Sequence, residues 1–353
     1  MLRMTSTDPV GGIEQHEMSV AEPQPAVPKP KLRWYQFSLR TLLVFVLLVS
    51  IGMGWFSVRM HQAKRQEAAV RAIQALGGSV WYDYQVDADG LPRDKPQPPV
   101  PEWLRNLLGN DFFTAVVHVW VFGGMTDVGL ENLKGLPYLR RVVIEGNVTD
   151  AGLDTLKFLP QLEILSLCET QITNSGLEEL KSLPRLTGLY LGKTKITNAG
   201  LEHLKGMTQL TILSLCETQI TDAGLAHTKG LTRVKRLELN RTKITETGLD
   251  NLKDFAQLNI LVLDDTQVSD AGLARINGLR QLELLSLKGT KITDAGLEHL
   301  KRLTGLKVLF LSRTEATKNG VAKLQRALPN CKIEWELPTP DERQSPTKPD
   351  QLR

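Results

Sequence analysis

Leu210-Thr-Ile-Leu213-Ser-Leu215-Cys-Glu-Thr218-Gln-Ile220-Thr-Asp-Ala-Gly224-Leu225 is the stretch that decides how this chain folds. Its glycine, followed by leucine or valine, stands at Gly129, Gly152, Gly176, Gly200, Gly224, Gly248, Gly272, Gly296 and Gly320. The first interval is 23 residues and the next seven are 24 each. A fixed period of this size means stacked supersecondary units, none of which can bury its apolar face alone. A chain of 353 residues need not then divide into two globular domains, because a solenoid grows by repetition.

Within each unit the pattern apolar-x-x-apolar-x-apolar marks a short strand. It runs from Val116-Val119-Val121 and Leu139-Val142-Ile144 through Leu162-Leu165-Leu167 to Leu306-Leu309-Leu311. These side chains are expected to point inward, with the strands aligned as a parallel sheet. Three residues after the last apolar one comes a threonine (Thr170, Thr194, Thr218, Thr242, Thr266, Thr290, Thr314). Its hydroxyl can serve backbone groups where the chain leaves the sheet. An apolar residue such as Ile220 follows, and then a Thr/Ser-Asp/Asn pair such as Thr221-Asp222, which is a helix N-cap signal. The glycine is expected to let helix and strand pack closely. A short helix then buries leucines at i, i+3 and i+6, as at Leu297, Leu300 and Leu303.

These phrases resemble the leucine-rich repeat family over residues 112–336. The Thr-x-Ile-Thr-Asp-Ala-Gly-Leu form is similar to the subtype with one short helix per repeat, found in bacterial repeat effectors and in the repeats of F-box proteins. The chain departs from the commonest pattern in having Thr where Asn usually stands; only Asn147, in the repeat one residue short, lies near that place. The resemblance implies an α/β solenoid with a parallel sheet on its concave face and short helices on its convex face. It also implies recognition of a protein or peptide by outward-pointing strand residues. Residues 1–111 show no F-box, so an adaptor role is not carried over. The anchor described next makes the chain similar to membrane-anchored bacterial proteins of this kind.

Residues 1–36 are rich in Pro, Glu, Gln and Lys and are expected to be a disordered leader. Residues 42–58 carry no charge, and Trp34, Tyr35, Trp55 and Phe56 bracket them as interfacial belts do. We read residues 37–60 as a single transmembrane helix in front of the repeats. A buried core helix or a cleaved signal peptide would share the apolar run, but no Ala-x-Ala-like site follows it. Lys29, Lys31, Arg33 and Arg40 precede the span, and Arg59, Lys64, Arg65 and Arg71 follow it, so the positive-inside rule gives no direction. A short leader with the folded domain behind the span suggests a signal anchor with the repeats on the periplasmic or extracellular side.

Residues 61–111 read as a juxtamembrane segment and N-terminal cap. A helix is expected over 62–76, with Ala69, Val70, Ile73 and Leu76 on one face and a stop at Gly77-Gly78. A strand is expected over 79–86, a proline-rich loop over 87–101 and a short helix over 102–108. At the other end Trp335 can cover the last repeat, and residues 337–353 read as a disordered tail.

Two outward columns can be read along the sheet: Ile164, Gly188, Ile212, Arg236, Ile260, Leu284 and Val308 in one, and Ser166, Tyr190, Ser214, Glu238, Val262, Ser286 and Phe310 in the other. Ile260, Val262, Leu284, Val308 and Phe310 form an apolar patch, and with Tyr190 they are the candidate partner-binding residues. The plainer account is that the sheet tolerates apolar residues there, or that the tail or the linker covers them. Just past the strands, Glu169, Lys193, Glu217, Arg241 and Asp265 alternate in sign. We read this as a device that avoids stacks of like charge and fixes register; a zwitterionic strip for a charged partner is the alternative.

No catalytic constellation is legible: there is no Gly-x-Ser-x-Gly elbow, phosphate-cradling loop, Cys-x-x-Cys pair or His-Glu-x-x-His helix. His203, His227 and His299 recur at one helix position without a third metal ligand. Cys168 and Cys216 hold the same place two repeats apart, about 10 Å at strand spacing, which is too far for a disulfide. A formal charge of +4 gives little pull on nucleic acid. Asn147-Val-Thr149 and Asn240-Arg-Thr242 fit the glycosylation pattern, which matters only in a eukaryotic secretory route. The expectation is a membrane-anchored, non-catalytic recognition protein with no cofactor, metal, nucleic-acid or small-molecule partner. A structural cell-envelope spacer and a docking regulator of an enzyme remain the alternatives.

Overall fold

A computed structural model describes residues 39–87 and 90–336. The leader expected over 1–36, the first two residues of the expected span and the tail expected over 337–353 lie outside the described residues. Contacts divide the chain into two units, Met1–Gly54 and Trp55–Arg353.

In the first unit the described residues are the start of helix α1 (Leu39–Ala75). Its most apolar 18-residue window has a mean hydropathy of 2.2 and no buried residue, and the helix is long and apolar enough to cross a membrane. The Ser50 hydroxyl donates to the Val46 carbonyl at 2.8 Å, so the helix satisfies its own polar side chain. The sequence suggested a second helix beginning near residue 62, but one helix covers both segments. The residues between them, Arg59, Met60 and His61, contain no breaker. The helix ends where expected: Gly77 takes φ +76°, its N–H donates to Gln74 O, and the Gly78 N–H donates to Ile73 O. This is a Schellman closure.

The second unit is built on one sheet of eleven strands whose spatial order is the sequence order. They are β1 (Ser79–Tyr82), β2 (Val116–Thr126), β3 (Arg141–Asn147), β4 (Ile164–Ser166), β5 (Gly188–Tyr190), β6 (Ile212–Ser214), β7 (Arg236–Glu238), β8 (Ile260–Val262), β9 (Leu284–Ser286), β10 (Val308–Phe310) and β11 (Lys332–Glu334). All pairs are parallel except β1 with β2. β1 is shorter than the strand expected over 79–86, because a 3₁₀ turn at Asp83–Gln85 lifts the chain off the sheet before Val86 bridges to Pro92. Helix α2 (Glu102–Leu108) spans the residues the sequence indicated.

Every inward position of the repeat is buried, from Val119 and Val142 to Leu309 and Leu311 at 0% exposure. Burial of a leucine of this kind contributes about 1.5–3 kcal/mol, so the core is a sum of near-identical increments along the array. The seven threonines after the strands are buried, and each hydroxyl donates to the carbonyl three residues earlier at 2.5–2.7 Å. The segments opposite the sheet are 3₁₀ helices at Asp150–Phe158, Ser175–Ser182, Asn198–Leu204 and Gly248–Asp254, and α-helices at Asp270–Ile276, Asp294–Leu300 and Lys318–Ala327. Leucines at i, i+3 and i+6 suit three residues per turn.

The Thr-Asp pair caps its own helix in part, with the Thr126, Thr293 and Thr317 hydroxyls accepting from the Gly129, Ala295 and Gly320 N–H groups, and it also ties neighbouring repeats together. Asp127, Asp150, Asn174, Asn198, Asp222, Asp270 and Asp294 each accept the backbone N–H of the threonine in the next repeat at 2.7–2.9 Å. The same side chains bond that threonine's hydroxyl at 2.5–2.9 Å. Asp accepts from the hydroxyl, whereas Asn donates to it through Nδ2, which is why the two residues exchange freely in the ladder. The glycine serves this ladder too, rather than helix-on-strand packing alone. A Cβ on Gly152, Gly200 or Gly224 would stand 2.5 Å from Oδ1 of Asp127, Asn174 or Asn198. One step of the ladder is missing: Glu246 stands where Asp or Asn is needed, and Ser269 in the next repeat receives no such bond.

The N-terminal end is closed by the second part of α1. Ala69, Val70 and Ile73 join the repeat core. The buried Gln66 amide donates to Asp111 Oδ1 at 2.8 Å and to Thr114 O at 2.9 Å, and accepts from Val116 N–H at 3.2 Å, which stitches the helix to the start of β2. At the other end Trp335 packs partly buried against the core next to β11.

The missing step supplies a test. Glu246→Asp should create a carboxylate acceptor for the Ser269 N–H and hydroxyl, contributing about 1–2 kcal/mol. A thermal melt followed by circular dichroism should then rise by about 2–4 °C for a domain of this size. An unchanged or lower midpoint would contradict a stabilising role for the ladder.

Candidate functional site

With the inward positions committed to the core, the side chains on the other face of the sheet are left free to vary. The structure aligns Ile260, Leu284 and Val308 as direct partners across β8, β9 and β10. Val262, Ser286 and Phe310 form the neighbouring column in the same register. Each of the five apolar residues is half-buried, so they are less exposed than a bare sheet face would leave them. The Lys288 ammonium lies 4.8 Å from the Phe310 ring centroid, a cation–π contact that covers part of the ring. Asp264 accepts from the Ser286 hydroxyl at 2.5 Å and from the Lys288 N–H at 2.9 Å, while burial pushes its carboxyl above the usual range. The five residues form one apolar strip with a charged margin. Tyr190 is separate: it lies three strands away from Val262, next to Ser166 and Ser214, and burial raises its phenol pKa.

The alternating charges pair across repeats. Lys193 meets Glu169 at 2.6 Å, Arg241 meets Glu217 at 3.2 Å and Asp265 at 3.3 Å, and Arg313 meets Asp265 at 3.2 Å. All six residues have φ between +53° and +60°, a region that costs a non-glycine residue about 1–2 kcal/mol. Gly289 takes the same place one repeat before Arg313, and its missing side chain lets Arg313 reach Asp265 two repeats away. A charged side chain is thus kept at a position where glycine would be less strained.

Cys168 and Cys216 are free thiols that flank Gly192, with Cys168 Sγ 3.4 Å from where a Gly192 Cβ would stand. Burial raises both thiols, Cys216 to about 11, so they are protonated at neutral pH. His203, His227 and His299 are half-buried on the helical side.

Sequence reading missed a polar cluster at the opposite end of the same face. His118 and Arg141 are direct partners across β2 and β3, and Arg141 pairs onward with Ile164, the first residue of the column read from sequence. Extending that column two strands further would have found both.

A sheet of consecutive strands, parallel from β2 onward, with 24-residue units, one inward leucine ladder and one side-chain ladder, is a leucine-rich-repeat-like α/β fold. No protein-family model matches the chain, and no curated protein matches it. Among solved structures it is similar to internalin C2 of Listeria monocytogenes, at 25% identity over 59% of this chain and 84% of that one, with a TM-score of 0.46. It is also similar to a leucine-rich-repeat protein of Leptospira interrogans, at 17% identity over 58% of this chain and 62% of that one, with a TM-score of 0.41.

The charge ladder yields a prediction with two arms. Arg241→Glu removes two ion pairs that are about one-quarter exposed and lines up three acidic groups. It should cost about 1–2 kcal/mol, seen as a melting point lower by about 2–4 °C and partly restored in 1 M salt. Arg241→Gly loses the same pairs but relieves the backbone, and its midpoint should stay within about 1–2 °C of the parent. Equal destabilisation by both variants would mean that the charge pattern does not set the cost.

Proposed function

We propose that this chain is a membrane-anchored recognition protein that binds another protein or peptide on the concave, open face of its sheet, without turnover. The observation that carries the reading is the register of Ile260, Leu284 and Val308 on successive strands, with Val262 and Phe310 beside them. Contiguous apolar area with a charged margin is the composition of a protein interface: an apolar centre excludes water and a polar rim fixes orientation. Asp264, Lys288 and the Lys307–Glu283 pair at 2.9 Å supply that rim. Tyr190 adds an aromatic contact further along the face. The anchoring half of the reading is supported by the apolar, unburied window in α1. A signal-anchor orientation puts the repeats on the periplasmic or extracellular side.

The double variant Val262→Glu plus Phe310→Glu should abolish crosslinking of a partner in the native membrane, while its thermal melt stays within about 2 °C of the parent, since neither residue belongs to the inward ladder. Undiminished crosslinking would remove this strip from consideration and put the partner contact elsewhere on the chain; no crosslinked partner for the parent would favour the spacer reading. Protease added to intact cells should digest the repeats; full protection with digestion only after lysis would reverse the proposed orientation.

A further inference from the structure

The first three strands carry a group of hydrogen-bond donors that no described residue satisfies. Trp81 is the direct partner of His118 across β1 and β2, and Trp120 lies two residues on along the same strand, so these side chains and Arg141 share one face of the sheet. Trp81 Nε1, Trp120 Nε1 and Arg141 Nε are buried and have no hydrogen-bond partner among the described residues. Buried donors left unpaired cost about 1–3 kcal/mol each, and of these three the Arg141 guanidinium is the one on the wall of a cavity, where an acceptor could reach it. Arg141 has no ion pair among the described residues, whereas its neighbour Arg140 is held by Glu163 through two bonds of 3.0 and 2.9 Å. His118 is 3% exposed, and its ring makes no hydrogen bond to a described residue. Both His118 and Arg141 line a cavity of about 220 Å³ whose walls include Gly90, Ile164 and Thr187. Gly90 closes it tightly, since a Cβ there would stand 3.0 Å from His118 Cε1 and 3.4 Å from Arg141 Nη2.

We propose that this cavity is a carboxylate-binding site in which Arg141 is the principal ligand and His118 a second donor. The charges decide the class. Arg140 and Glu163 cancel, His118 is neutral at pH 7, and Arg141 leaves a single positive charge for a single negative one. A dianion such as phosphate would sit against the Glu163 carboxylate, which also lines the cavity. The Nε–H and Nη2–H of a guanidinium form a fork that matches the two oxygens of a carboxylate. The volume holds about seven waters, enough for a carboxylate with a few carbons and too little for a large ligand. The carboxylate belongs either to a peptide lying on the sheet or to a small free acid. The peptide case deepens the recognition function proposed above, by giving the partner an acidic group at this end of the face.

His118 reports occupancy. Burial holds its pKa down to about 4, helped by Arg141 and then Arg140, while Glu163 acts weakly the other way and Trp81, from β1, carries no charge. An anion beside the ring favours the imidazolium and raises that value.

The test is a ring-proton NMR titration of the full chain in detergent micelles, with His118 assigned through His118→Gln. In chloride its midpoint should lie near pH 4. Replacing chloride by formate at constant ionic strength should raise the midpoint by one unit or more, which equals at least tenfold tighter formate binding to the protonated ring. Arg141→Gln should remove the rise. An identical midpoint in the two salts overturns the site, whatever the variant does. An equal rise in Arg141→Gln overturns the role of that residue. Acetyl-Gly-Gly-Ala with a free carboxylate and its C-terminal amide then separate the sources: a rise with the acid alone assigns a peptide carboxylate, and a rise with formate but neither peptide assigns a small free acid. The titration needs no partner, so its outcome is independent of the crosslinking test on Val262 and Phe310.

Discussion

One interaction sets the spacing of the array: a carboxylate or amide oxygen of one repeat receives the threonine N–H of the next. It can form only if the chain opposite the sheet comes within hydrogen-bonding distance of its neighbour, and a glycine must clear the way. At Gly152, Gly200 and Gly224 a methyl group would occupy the place of the incoming oxygen. The sheet side holds its own spacing through backbone bonds, as between Leu215 N–H and Glu238 O. The Asp-Thr ladder does the same on the other side, so both edges of each repeat are tied at a fixed distance and the leucines between them stack without adjustment. The spacing holds even where the unit is one residue short, since Thr149 still bonds Asp127. At the one repeat with Glu246, the Thr247 hydroxyl turns to Asp222, and the unbonded step stays confined to a single interface.

What the sequence disclosed follows from this regularity. The inward leucines and the buried threonines were legible because each occupies the same place in every unit, and a periodic signal is hard to misread. The Thr-Asp part of the phrase was legible only by half: the threonine caps its own helix at Thr293 and Thr317, whereas the Asp side chain crosses to the next repeat, and the reason is physical. Asp or Asn after Thr, just before a helix, looks the same whether its side chain caps its own helix or crosses to the next repeat, and a single sequence does not separate local from non-local partners. The join within α1 was missed because the change from apolar to charged residues at Arg59 marks a change of environment and not of backbone conformation.

The open face was legible in part. Ile260, Leu284 and Val308 were found together because regular register places them so, but the shielding of Phe310 by Lys288 depends on side-chain conformation. His118 and Arg141 escaped because β2 is irregular. Its register shifts between Val121 and Met125, and the first interval between glycines is a residue short, so extrapolation of the columns stopped at Ile164. The irregularity itself is informative. An end strand must meet a different neighbour on each side, here the antiparallel β1 and the parallel β3, and its face is released from the composition imposed on the middle of the array.

The two ends of the face therefore differ in chemistry while sharing one column. His118 and Arg141 begin it with unsatisfied donors, and Ile260, Leu284 and Val308 end it with apolar side chains. From β3 to β8 is five strand spacings, about 24 Å, which an extended peptide covers with about seven residues. Between them Gly188 carries no side chain, and Arg236 is held to Glu238 at 2.5 Å rather than standing free. On the recognition and carboxylate readings proposed above, such a face would take a ligand that is acidic at one end and apolar at the other, and would set the direction in which it lies. Direction is what a repetitive scaffold cannot supply from its middle, where each strand resembles the last. It comes from the ends, where the repeat is broken.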